Sequence, residues 1–136
     1  MNTDRFKFRI FSKVEKRYIS TERFVLNQDG ELVEPNYTFY GDIHFSHPTE
    51  NLIVEQCTGL KDANGKFIYE GDILIGDEGN SKAFVENDLN LARFVVRVSH
   101  RDGSSFTAGI MGGITEGFLR VVGNIHENPE LFDGKK

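Results

Sequence analysis

The chain has 136 residues, 38% of them hydrophobic and 27% charged, with a net charge of −5. This is the size and balance of one globular domain rather than of a disordered chain, and one core is the default expectation. Its one cysteine, Cys57, excludes a disulfide-stapled secreted fold, and no apolar run reaches signal-peptide length or the ~20 residues that span a bilayer, so a cytoplasmic protein is expected.

The richness in Phe, 12 residues against no Trp, leans toward strands. Residues 5–11 alternate basic and apolar with period two. As a strand they put Arg5, Lys7 and Arg9 on one face and Phe6, Phe8 and Ile10 on the other. Phe6 and Phe8 are then expected in the core, and the basic stripe faces water or a partner. Residues 12–16 read as a turn, 17–26 as a returning strand, and 27–30 as the next turn. Residues 31–50 are irregular, with short strands expected at 37–40 and 43–45.

A strand at 51–58 leads into a turn at 61–66, where Asn64-Gly65 suits a tight hairpin. Residues 67–69 complete that hairpin. Glu70-Gly71-Asp72 breaks it, and 73–75 begin another strand before a loop at 76–80. Residues 81–91 fit neither a helical nor a strand period. Strong strand signals return at 91–98, with a turn at 101–103 and a partner strand at 105–110. The Gly-rich stretch 108–117 reads as a hairpin loop. Its Ile110, Met111 and Ile114 hint at cover by a partner. A last strand is expected at 118–122. Asn128-Pro129-Glu130-Leu131 has the capping residue, proline and acid that open a short helix. The sum is many short strands at hairpin spacing, which argues a small barrel or packed sheets.

Charge is unevenly spread. Residues 1–23 hold seven Lys or Arg against three acids, leaving nine basic and eighteen acidic residues elsewhere. Such asymmetry fits a basic face for nucleic acid, or a basic strand paired with acids of its own fold or of another copy.

Few residues invite chemistry. Asp62, Glu70 and Asp72 would have to converge on one point to hold a divalent metal; as turn and cap residues they need no metal. His44 and His47 lack the second paired motif of a zinc site. Cys57 sits in an apolar strand, where a buried small hydrophobe is the simpler reading than a nucleophile. The Gly-rich stretch lacks the Gly-Lys-Ser/Thr ending of a phosphate loop. No catalytic residue, cofactor or metal is expected.

Two blocks are more particular. One is Cys57-Thr58-Gly59-Leu60-Lys61-Asp62-Ala63-Asn64-Gly65-Lys66-Phe67-Ile68-Tyr69-Glu70-Gly71-Asp72-Ile73. The other is Val121-Val122-Gly123-Asn124-Ile125-His126-Glu127-Asn128-Pro129-Glu130-Leu131. With the basic–aromatic opening Arg5-Phe6-Lys7-Phe8-Arg9, in this order, they resemble the YopX family of phage and prophage proteins over essentially the whole chain. Two departures are visible. Phe11-Ser12 stands where the family usually has a Trp-Asp pair, and Cys57 stands where it usually has an aromatic residue.

The resemblance implies a mainly β fold of several small mixed sheets, with an SH3-like, barrel-like part beginning near Asp72-Ile73 and a short helical turn at the C-terminus. It implies a phage or prophage origin and no particular activity. The expectation is therefore one domain, with an N-terminal part at 1–50 and a barrel-like part at 51–136, acting as a non-enzymatic binding module. Its partner would be nucleic acid or a host protein, met through Arg5, Lys7 and Arg9, with no membrane involved. A structural homo-oligomer and a metal-dependent enzyme are the alternatives.

Overall fold

The computed structural model describes residues 4–37, 40–46, 51–76, 81–88, 93–100, 103–109 and 119–133. His47, Phe118, the turn residues 101–102, the loop residues 77–80, and Ile110, Met111 and Ile114 of the Gly-rich stretch lie outside them. The chain forms two compact units, Phe8–Glu55 on the one hand and Met1–Lys7 with Gln56–Lys136 on the other.

The first unit holds β1 (Phe8–Ser12), β2 (Arg17–Ile19), β3 (Val25–Leu26), β4 (Leu32–Tyr37) and β5 (Ile43–Ser46). β1 and β2 form the expected hairpin, with Ile10 opposite Ile19. Its turn is closed by the Lys16 amide on the Ser12 carbonyl at 2.8 Å and the Glu15 amide on Ser12 Oγ at 3.0 Å. The strand expected at 17–26 is broken in two. The Phe24 amide bonds the Thr21 carbonyl at 3.0 Å, and this turn swings the Phe24 ring inward. β3, β4 and β5 pair antiparallel in sequence order. Ile10, Phe24 and Leu32 form this unit's core, with Phe8, Ile19, Leu26, Leu52 and Val54 packed on it.

β6 (Leu52–Lys61) starts in the first unit beside β1 and continues into the second, where it pairs with β7 (Phe67–Tyr69). Its ladder with β7 is broken between Cys57 and Lys61. Thr58 fills the gap: its hydroxyl donates to the Ile68 carbonyl at 2.8 Å and accepts from the Leu60 amide at 3.1 Å. The interruption sits at Gly59, whose φ of 84° is costly for any residue with a Cβ.

The second unit also holds β8 (Asp72–Gly76), β9 (Ser81–Asp88), β10 (Arg93–His100), β11 (Ser105–Gly109), β12 (Arg120–Asn124) and the short helix α1 (Pro129–Asp133), which lies against β9. The five strands form one curled sheet in the order β11-β10-β9-β8-β12, half of a barrel. The ladders whose register is described are antiparallel. Short links account for the pairs of consecutive strands, such as β1–β2, β8–β9 and β10–β11, whereas β12 returns to β8 from a distance.

β9 falls where no period was readable. Ala83 and Val85 point into the core while Phe84 takes the opposite face, so a large apolar residue on the outer parity hid the alternation. The core of this unit is Ile68, Leu74, Ala83, Val85 and Val96, with Phe94, Val98, Leu119 and Val121 against it. Ile73 and Val95 are as fully buried as their neighbours Leu74 and Val96. The middle of the sheet is thus covered on both faces.

Leu74 is fully buried in this core, whereas Val25 is 49% exposed. Leu74→Ala is expected to cost about 2–5 kcal/mol, and Val25→Ala no more than about 0.5 kcal/mol. Urea denaturation of the two variants checks the ranking.

Candidate functional site

The residues of the two distinctive sequence blocks lie on the β6–β7 hairpin, the start of β8, and β12 with the turn that follows it. Asp62, 2% exposed, lies at the head of the hairpin turn. Its Oδ1 accepts the Asn64 and Lys66 amides, each at 2.9 Å, and its Oδ2 accepts the amide of Val121 on β12 at 2.8 Å. The backbone repeats the link, the Ala63 amide donating to the Leu119 carbonyl at 2.8 Å. Burial by itself would push the Asp62 carboxyl up. The amides of Val121, Lys66 and Asn64, aided by the Lys66 charge, outweigh it and hold the group below the usual aspartate range.

The other two carboxylates serve other amides. Glu70 Oε1 accepts the Gln56 amide at 2.8 Å, while the Glu70 amide donates to the Gln56 carbonyl at 3.0 Å. Asp72, 1% exposed, accepts the Tyr69 amide at 2.8 Å. Between them Gly71 donates to the Val85 carbonyl and accepts from the Ile125 amide, both at 2.8 Å. A φ of 84° inside such a clamp leaves glycine the residue that fits without strain.

Asp62, Glu70 and Asp72 are therefore aimed at separate sets of amides. No group of three His, Cys, Asp or Glu suited to a metal occurs among the described residues. His44 is exposed on β5.

The closing block is bound just as tightly. Asn124 Oδ1 accepts the amides of His126 and Glu127 at 3.0 and 2.9 Å. The Asn128 amide bonds the Asn124 carbonyl at 2.9 Å, and Asn128 Oδ1 accepts the Asn124 amide at 3.3 Å. Asn128, expected to cap α1 with its side chain, thus turns back to the strand. A Cβ at Gly123 would run into that carboxamide, so close approach explains this glycine.

The basic opening is arranged differently from the expected stripe. Arg5 falls in a 3-10 turn, Asp4–Phe6, and β1 begins only at Phe8. Strand parity therefore does not apply at Phe6, which is 65% exposed instead of core. Lys7 is fixed through its carbonyl, which accepts the Cys57 amide at 2.9 Å. Its Nζ lies 3.8 Å from an Asp4 carboxylate oxygen and 5.4 Å from the Phe67 ring centroid.

Arg9, in the other unit, donates from Nε to Glu55 Oε1 at 2.8 Å. The Tyr18 hydroxyl donates to the same oxygen at 2.8 Å, and the guanidinium lies 4.4 Å over the Tyr18 ring. The Glu55 side chain is 6% exposed and that of Arg9 20%. Glu55 on β6 and Tyr18 on β2 stand in no motif of the sequence. The available signal was a glutamate in an apolar strand, matched by an arginine in another.

Cys57 is fully buried, and its sulfur accepts the Gly59 amide at 3.3 Å. Burial pushes its thiol up, so it stays protonated near neutrality.

Two predictions follow from this geometry. Asp62→Ala should cost about 3 kcal/mol at neutral pH, since amides at the turn and on β12 lose a charged acceptor. The folded carboxyl lies below its unfolded value. Its contribution is therefore whole above an unfolded value of about 4 and is lost as pH falls through the folded one. Urea denaturation at a series of pH values should show the gap between wild type and Asp62→Ala narrowing below that point. Cys57 should resist a maleimide reagent in the native protein and react once urea unfolds it; rapid labelling without denaturant would contradict the buried thiol.

A search of curated proteins finds no significant match. Among solved structures, the fold is similar to the crystal structure of protein EF1440 from Enterococcus faecalis, with a TM-score of 0.51 and 24% identity, covering 92% of this chain and 96% of that one. At that identity the likeness concerns the fold alone. The profile described as YopX protein matches residues 7–133. With both motif blocks inside that match, the chain belongs to the YopX family.

Proposed function

We propose that the protein is a single-domain, non-enzymatic binding module of a phage or integrated prophage, acting in the cytoplasm of the bacterial host. The observation that carries this reading is the use made of the motif carboxylates. Asp62, Glu70 and Asp72 hold the amides of Asn64, Lys66, Val121, Gln56 and Tyr69. Residues so engaged position backbone, and withdrawing one to bind a metal would break the turn or the strand it holds. The most distinctive sequence thus supports a scaffold.

The strand order β11-β10-β9-β8-β12 supports an SH3-like barrel: a meander whose last strand returns to the first. No helix among the described residues is long and apolar enough to cross a membrane. Of the basic residues expected to meet a partner, Arg9 is committed to Glu55, while the Lys7 side chain is 47% exposed. Lys7 is the better contact for that reason. Arg5 remains a candidate by its position next to Phe6.

Thermal unfolding in the presence of Mg²⁺, Mn²⁺, Ca²⁺ or Zn²⁺ tests the non-enzymatic reading against a metal-dependent one. A ligand that binds only the folded state raises its stability by mass action, so the expected result is an unchanged Tm. A rise of several degrees with one ion, lost in Glu70→Gln or Asp72→Asn, would replace this reading with a metal-dependent activity.

A further inference from the structure

The whole chain is acidic, yet the β6–β7 hairpin tip is not. Residues 61–67 contain one carboxylate, that of Asp62, and it is buried and turned onto backbone amides. Lys61 and Lys66 are exposed on either side of it. Neither has an ion pair among the described residues. The tip therefore presents positive charge to solvent because the fold consumes its negative charge.

Lys7 adds to the same place. Its ammonium is 5.4 Å and that of Lys61 5.0 Å from the centroid of one ring, Phe67. The two charges consequently lie within about 10 Å of each other, one Debye length at 0.1 M salt. Attraction to the face of an aromatic ring offsets part of the repulsion between them. Lys7 forms a loose ion pair with Asp4 at 3.8 Å, and its side chain is still half exposed. Next to Lys7, Phe6 stands 65% exposed in a backbone turn closed by the Lys7 amide on the Asp4 carbonyl at 3.2 Å.

We propose that Lys7 and Lys61 on the Phe67 ring, with Phe6 next to Lys7 in the chain and Lys66 at the hairpin tip, bind the phosphodiester backbone of a single-stranded nucleic acid. The lysines meet successive phosphates, and Phe6 offers a ring on which a base stacks. Closely spaced cations with an adjacent free aromatic are what a single strand needs, since every base has a face to stack and every phosphate carries charge. The Phe67 ring takes no base, because the two ammoniums lie over it; its part is to hold them in place. An acidic peptide would use the lysines and leave Phe6 without a role. This proposal names the partner of the binding module above and rests on that reading.

The test is fluorescence anisotropy of labelled oligo(dT) and oligo(U) against the full-length protein at low salt. Both oligonucleotides are expected to bind; a preference for one assigns the site to DNA or RNA. The slope of log affinity against log salt should be about −2 for three phosphates neutralised on a single strand. Lys7→Gln with Lys61→Gln and Lys66→Gln should weaken binding at least about tenfold at low salt and flatten that slope. Phe6→Ala should weaken it several-fold with the slope unchanged.

The control is Lys13→Gln with Lys16→Gln, two exposed lysines of the β1–β2 turn, which should bind as wild type does. Circular dichroism melts confirm that each variant is folded. Absence of binding by the wild type overturns the proposal, as does equal weakening in the control, or displacement by polyglutamate as effective as by unlabelled oligonucleotide. A metal-induced rise in Tm would instead remove the binding-module reading, so the two failures are distinguishable.

Discussion

The Asp62 carboxylate is the contact on which the second unit depends. It caps the hairpin turn from within through Asn64 and Lys66 and reaches across 59 residues of sequence to the Val121 amide. A turn of this kind needs an acceptor for its inward amides, and a neutral side chain supplies a weaker one. By accepting a third amide from β12, the same group ties a local feature to the closing of the sheet. The Gly71 clamp does the same at the other end of β12, between Val85 and Ile125. The last strand is thereby held at both ends by the middle block, apart from its ladder with β8.

This accounts for how the two distinctive blocks of this sequence belong together. They are complementary halves of one set of hydrogen bonds, Asp62 and Gly71 contributing from the first and Val121 and Ile125 from the second. Gly123 belongs to the same logic, since Asn128 folds back against it to bond the Asn124 amide. A motif built this way reports on architecture. Chemistry or binding must then be sought on the surfaces that the architecture leaves exposed, where the side chains are less distinctive as sequence.

Charge is handled in two contrasting ways. In the first unit Arg9, Tyr18 and Glu55 form a nearly buried group whose members satisfy one another, with the Tyr18 ring also edge-on to Phe11 at 5.1 Å. Taking such ions out of water is costly, and removing one partner strands the other, so this group stays closed. In the second unit the acid at the hairpin tip is buried while its flanking lysines are not. The surface sign is then opposite to the net charge of −5. Among the described residues every buried side-chain polar atom has a partner.

The sequence by itself determined the β class, most of the hairpins, the short helix after Asn128 and the turn role of Asp62, because each follows from local periodicity or local backbone demands. It placed β1 too early, since basic–apolar alternation continues through the 3-10 turn that precedes it, and it missed β9, where Phe84 occupies the outer face. Tertiary structure alone decided that Arg9 is taken by Glu55, that Asp62 reaches Val121, and that Lys7 and Lys61 share the Phe67 ring. Each of these joins residues between 46 and 60 positions apart or sets a side chain by what lies across from it. Period and composition report which face a residue takes on its own element. They carry no information on which distant group will be waiting there, and that is what turns a basic opening into a nearly buried pair at Arg9 and a half-exposed lysine at Lys7.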